Sequence, residues 1–117
     1  MKTILVTGSN KGIGFEVVRQ LARAGHRVIL AARDAQKGEA AAALLAKDQI
    51  AVTLVVLDVA DPVSIEQAAQ RVKAEFGTLD VLINNAAVLL KEDQSLATGT
   101  AEVFHKTMRT NVFGPVA

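Results

Sequence analysis

Apolar residues along this chain fall into short unbroken runs, separated by longer stretches in which they recur at helical spacing. Lys2 to Thr7 is a β-branched, apolar run that stops at Gly8, the pattern of a buried strand. The stretch Gly14 to Ala24 predicts a helix with Ile13, Val17, Leu21 and Ala24 on one face, and Gly25 supplies its stop. Val28 to Ala32 predicts a second strand, Ala35 to Lys47 an alanine-rich helix, and Ala51 to Leu57 a third strand. Asp61-Pro62 opens the next helix, with a carboxylate at the cap and proline in the first turn. Its apolar stripe is Ile65, Ala69, Val72 and Phe76, and Gly77 ends it. Leu79 to Ile83 predicts a fourth strand. Lys91 to Gly99 is polar and predicts an exposed loop, and Thr100 to about Gly114 predicts a final helix.

Strands that read as continuous apolar runs are buried on both faces. Strands alternating with helices of this length pair in parallel through right-handed crossovers. The expectation is an α/β chain with a Rossmann-like, doubly wound parallel sheet of about four strands in the order 3-2-1-4. No repeat, low-complexity tract or linker divides it, so residues 1–117 read as a single domain.

Composition narrows the function classes. Half of the 117 residues are hydrophobic, enough for a real core, and 13 basic against 12 acidic residues leave a net charge of +1. No basic stripe points to nucleic acid, and Arg19/Arg23/Arg27 and Lys106/Arg109 fit solvated helix faces. The absence of cysteine removes disulfides, thiolate metal sites and a cysteine nucleophile. The two histidines, His26 and His105, lie too far apart in sequence to suggest a metal site, and none is expected. The apolar N-terminal run is too short for a secretory signal, and Val81 to Leu90, interrupted by Asn84-Asn85, is too short to span a bilayer. These features predict a soluble, cytoplasmic protein with no membrane partner.

The chemistry concentrates between the first strand and the first helix. In Thr7-Gly8-Ser9-Asn10-Lys11-Gly12-Ile13-Gly14, Gly8 permits a tight turn and Gly12 lets the backbone approach a pyrophosphate. Gly14 allows close helix–strand packing. The helix that follows offers free N–H groups and a favourable dipole to phosphates. Strand before and helix after are the context that turns a glycine pattern into a dinucleotide signal.

T-G-x-x-x-G-x-G, rather than G-x-G-x-x-G, resembles the short-chain dehydrogenase/reductase family. Asp58-Val59 after the third strand, Asn84-Asn85-Ala86-Ala87 after the fourth, and Asn111 with Gly114 fall in family order across the whole chain. Lys11-Gly12-Ile13-Gly14, Ala32-Arg33-Asp34 and Thr107-Met108-Arg109-Thr110-Asn111 look most like the carbonyl-reductase branch. Ala87 departs from the family's usual glycine by one methyl group.

Ala32 stands where a dinucleotide fold carries the acidic residue that favours NAD, and Arg33 follows it. Arginine can clamp a phosphate with paired donors, and Lys11 adds a second positive charge. In the family, this basic pair goes with NADP over NAD. The alternative for Arg33 is a solvated arginine paired with Asp34, and for Lys11 an ordinary loop lysine. The resemblance implies that Asp58 meets the adenine amine with Val59 against the ring. It also implies that Asn84 braces neighbouring strands, and that Asn85, Ala86 and Ala87 line the ribose. The alternative for Asp58 is a turn residue. Gly8, Ser9, Asn10, Lys11, Gly12, Ile13 and Gly14 complete the expected cofactor-binding set.

Carbonyl reduction also needs a proton donor. In the family this is a tyrosine in Tyr-x-x-x-Lys, assisted by a serine, and this sequence contains no tyrosine. Of the family's catalytic set only Asn111 is present, resembling an asparagine that distorts its helix and holds a relay water. Its alternative is an asparagine bonding its own backbone. Family members are commonly about twice this length, so the sequence reads as the cofactor-binding half of an NADP-dependent carbonyl reductase, acting on a ketone or aldehyde and inactive alone. The competing reading is a non-catalytic NADP-binding or sensing module that pairs with another subunit. In either case the edge beside Leu79 to Ile83 is expected to lie open and to drive homo-oligomerisation.

Overall fold

The computed structural model describes residues 1–85, 91–108 and 110–113. Strand β1 (Thr3–Val6) leads to helix α1 (Gly12–Arg23), β2 (Arg27–Ala32), α2 (Ala35–Lys47) and β3 (Thr53–Val56). Helix α3 (Pro62–Phe76), β4 (Val81–Ile83), α4 (Lys91–Thr107) and β5 (Asn111–Phe113) follow. The sheet is parallel with the order β3-β2-β1-β4-β5, so the expected 3-2-1-4 arrangement is present and carries one further strand.

Alternate side chains of each strand serve opposite layers, as the pleat requires. Leu5, Ile29, Ala31, Val55 and Leu82 join Ile65, Ala69 and Val72 of α3 and Phe104 of α4. Ile4, Val6, Val28 and Leu30 pack instead with Val18 of α1 and Ala41 and Leu45 of α2. Burial of β1 is therefore complete along its length. Gly38 of α2 lies where an added Cβ would meet the Leu54 side chain and the Ala32 Cβ, so α2 is seated directly on β2 and β3.

Local signals set most of the boundaries. Asp61 Oδ1 accepts from the Val63 amide at 3.0 Å, Pro62 fills the first turn, and Gly77, at φ 76°, ends α3. Gly25, at φ 97°, follows the α1 C-cap at Ala24. Val17 and Leu21 of the expected α1 face pack against the core, but the two ends of that face do not. Gly14 and Val18 are buried, while Ile13 is 53% exposed and Ala24 is exposed. Gly14 is seated against the Gly8 carbonyl and the Ser9 Cα, which puts position 14 rather than 13 on the inner side of the helix. Arg19 pairs with Glu16 at 3.0 Å on the solvated side, and Arg27 lies 5.5 Å over the Phe76 ring.

The C-terminal part corrects two expectations. Lys91 to Gly99 is helical rather than a loop, and the helix ends at Thr107. Beyond it, Asn111 to Phe113 is a strand, not a continuation of the helix. The Asn111 amide donates to the Asp80 carbonyl at 3.1 Å, and β5 pairs with β4 in the register Leu82 with Val112. An open β4 edge leaves a row of unpaired backbone groups, and the segment Asn-Val-Phe, with one β-branched and one aromatic residue, pairs with them. The edge beside β4 is thus occupied, and among the described residues the outer strands of the sheet are β3 and β5. Among the described residues, no helix is long and apolar enough to cross a membrane.

Candidate functional site

Chain order reverses at β1: β2 and β3 lie on one side, β4 and β5 on the other. In an open parallel sheet, this reversal opens a crevice at the strand C-termini, where ligands of doubly wound folds bind. The glycine turn, Arg33, Asp58 and Asn85 all follow the C-terminal ends of strands and so belong to this edge.

The turn is built by internal bonds. Ser9 is fully buried. Its hydroxyl donates to the Val6 carbonyl at 2.7 Å and accepts from the Ala31 amide at 3.1 Å, while its own amide donates to the Ala31 carbonyl. Ser9 therefore welds the turn to β2, and its side chain is committed there. Gly8 and Gly12 have φ of 58° and 64°, the left-handed region that glycine enters without strain. An added Cβ at Gly12 meets nothing within 4 Å, so this backbone faces open space. At Gly14 the same atom would strike the Asn85 Nδ2, the Gly8 carbonyl oxygen at 2.9 Å and the Ser9 Cα at 3.0 Å. Gly12 thus leaves room at the mouth of the turn, while Gly14 is packed against the turn's own backbone and Asn85. Asn10 is half-buried, and Lys11 and Ile13 are exposed at the mouth of the turn.

Across the crevice, the Asn85 amide donates to Thr7 Oγ1 at 2.9 Å, and its Nδ2 donates to the Gly8 carbonyl at 3.1 Å. Asn85 thus ties the end of β4 to the glycine turn. Asn84 is buried, and its Oδ1 has no hydrogen-bond partner among the described residues. Among the described residues, the bonds that join the end of β4 to the glycine turn are therefore those of Asn85. Ala86 and Ala87, also expected in the site, lie outside the described residues.

Helix N-termini distinguish this crevice electrostatically. Helix α2 is capped by Asp34, whose Oδ1 accepts from the Gln36 and Lys37 amides at 2.9 and 3.2 Å. Helix α3 is capped by Asp61. Helix α1 begins after Lys11, which makes no side-chain cap, and its first turn contains no acid. Of the three helices whose N-caps are described, only α1 leaves its end to an outside acceptor. The dipole and free N–H groups there favour an anion.

Arg33 is exposed, and among the described residues it makes no ion pair, with Asp34 or any other group. Asp58 and Val59 are half-buried. Asp58 Oδ1 accepts from the Ala60 amide at 2.9 Å, a turn bond, and its amide donates to Ser64 Oγ, also at 2.9 Å. Ser64 was missed by the sequence reading. Its signal is a hydroxyl in the first turn of a helix, six residues after an acidic turn residue. Asn111 is exposed at the start of β5, not inside a helix, so the expected helix distortion has no counterpart. No cluster of three or more potential metal ligands occurs among the described residues.

The short chain dehydrogenase family model matches residues 2–117. The chain belongs to the short-chain dehydrogenase family. It is 37% identical to (+)-neomenthol dehydrogenase of Arabidopsis thaliana over 95% of this chain and 44% of that protein. It is 42% identical to carbonyl reductase [NADPH] 1 of Mus musculus over 94% of this chain and 39% of that protein. Among solved structures, menthone neomenthol reductase from Mentha piperita superposes with a TM-score of 0.71 at 40% identity, covering 91% of this chain and 39% of that one. The chain thus spans less than half the length of the curated relatives it matches.

Proposed function

We propose that this chain is the cofactor-binding part of an NADP-dependent short-chain oxidoreductase of the carbonyl-reductase type, which interconverts a ketone or aldehyde and its alcohol. The observation that carries the reading is the α1 N-terminus, uncapped and beside the open backbone at Gly12. The α1 amides and the Gly8–Gly14 turn hold the pyrophosphate, and Arg33 with Lys11 hold the 2′-phosphate. Asp58 and Val59 take the adenine, and Asn85 with Ala86 and Ala87 takes the ribose. A bound nicotinamide dinucleotide supplies the hydride; the protein contributes binding and orientation. The relatives named as carbonyl reductase [NADPH] support the choice of NADP, as does the absence of an acid at Ala32, which is fully buried.

A relay role for Asn111 belongs to the same proposal. The proton donor does not come from a tyrosine of these 117 residues, because they contain none. A second reading is a non-catalytic NADP-binding or sensing module. The two are separated by the coding sequence after Ala117: an open frame encoding Ser and Tyr-x-x-x-Lys supports the enzyme, and a stop codon supports the module. The shared premise is tested by titrating the chain with NADPH and NADH and following cofactor fluorescence. Saturable binding, tighter for NADPH, is expected; no binding of either at millimolar concentration would sink both readings.

A further inference from the structure

Arg33 and Asp34 are neighbours in sequence with opposite charges, yet they do not pair. The Asp34 carboxylate is held on the Gln36 and Lys37 amides at 2.9 and 3.2 Å. A carboxylate accepting two backbone donors at a helix N-terminus is fixed there by hydrogen bonds and by the helix dipole. Two consequences follow for an anion beside Arg33. The α2 amides that could have received it are occupied, and a fixed negative charge stands one residue away from the arginine. The α1 end, with no carboxylate cap, is the opposite case.

We propose that Asp34 sets the strength of discrimination between NADP and NAD: it closes the α2 N-terminus to the 2′-phosphate and opposes that phosphate with its own charge. Recognition is left to the Arg33 and Lys11 side chains, at less than the affinity they would give alone. The inference rests on the NADP reading above and assigns a specificity role to a residue outside the expected contact set.

Asparagine caps helices about as well as aspartate, so Asp34→Asn removes the charge and keeps the cap. The measurement is calorimetric binding of adenosine 2′,5′-bisphosphate and adenosine 5′-monophosphate, which differ only in the 2′-phosphate. A unit charge on the order of 8 Å from a phosphate dianion in a water-like dielectric changes affinity by about fivefold. Asp34→Asn is therefore expected to tighten the bisphosphate about fivefold at low salt and leave the monophosphate unchanged, with the gain shrinking at high salt. Asp34→Ser, another uncharged cap, serves if the asparagine variant does not fold. Unchanged discrimination in a folded variant, while the parent protein prefers the bisphosphate and Arg33→Ala loses that preference, overturns the inference alone. A parent protein that does not prefer the bisphosphate overturns the NADP reading and the inference with it.

Discussion

Gly12 and Gly14 lie two residues apart in one turn, yet a single methyl group has opposite consequences at the two. At Gly14 it would meet the Gly8 carbonyl oxygen at 2.9 Å and the Ser9 Cα at 3.0 Å, and backbone atoms cannot rotate out of the way. Gly14→Ala must therefore push α1 off the turn and break the Asn85 bond to Gly8, at a cost of about 1–3 kcal/mol. At Gly12 the methyl enters open space, and the cost is the backbone strain of φ 64°, about 1 kcal/mol. Nucleotide binding should fall in both variants, for different reasons. Urea unfolding with a parallel NADPH titration separates them: Gly14→Ala loses more stability, while Gly12→Ala loses affinity out of proportion to its stability. Equal destabilisation of the two would show that Gly14 is not packed against the turn.

Among the elements, the three caps show what local sequence can specify. Asp34 and Asp61 each accept from amides of the helix they open, and alanine at Asp61 should cost about 1 kcal/mol in urea unfolding. Asp34→Asn should cost almost nothing in the same assay. The first four strands and first three helices were legible for the same reason as these caps: apolar runs, cap residues and terminal glycines act within a few residues. Their boundaries differ from the expected ones by at most two residues, and in α1 the ends of the buried face also shift, because Gly14 is seated against Gly8 and Ser9. The part of α4 from Thr100 is legible, but its first part is not: Lys91 to Gly99 is polar and carries no apolar stripe, although Lys, Glu, Gln, Leu and Ala are good helix formers. Strand β5 was hidden because its cause is remote: Asn111 to Phe113 are a strand on account of the edge offered by β4, about thirty residues earlier. In the site, the glycine roles could be read from spacing. The tie of Asn85 to the glycine turn, and the hold of Ser64 on Asp58, depend on contacts that spacing does not encode.

For the molecule as a whole, the decisive question is what the sheet does with its two outer strands. Strand β3 carries α2 against it, with Gly38 seated over Leu54. Strand β5 is three residues long and, among the described residues, pairs with β4 alone. In a parallel ladder the groups of alternate residues point to opposite sides. The Asn111 amide donates inward to Asp80, so the Val112 N–H and C=O point outward from the sheet. An outward pair at an edge is a template for another strand, and a second copy of the chain carries the same one. For the 117-residue chain taken by itself, self-association through β5 is therefore expected, with light scattering showing a mass that rises with concentration. Proline at Val112 removes the outward donor without touching the Asn111 bond to Asp80, so Val112→Pro should lower the association while circular dichroism retains the native helical signal. A parent protein that stays strictly monomeric at high concentration rules out β5 as an adhesive edge. Association that survives Val112→Pro unchanged would move the contact to another surface.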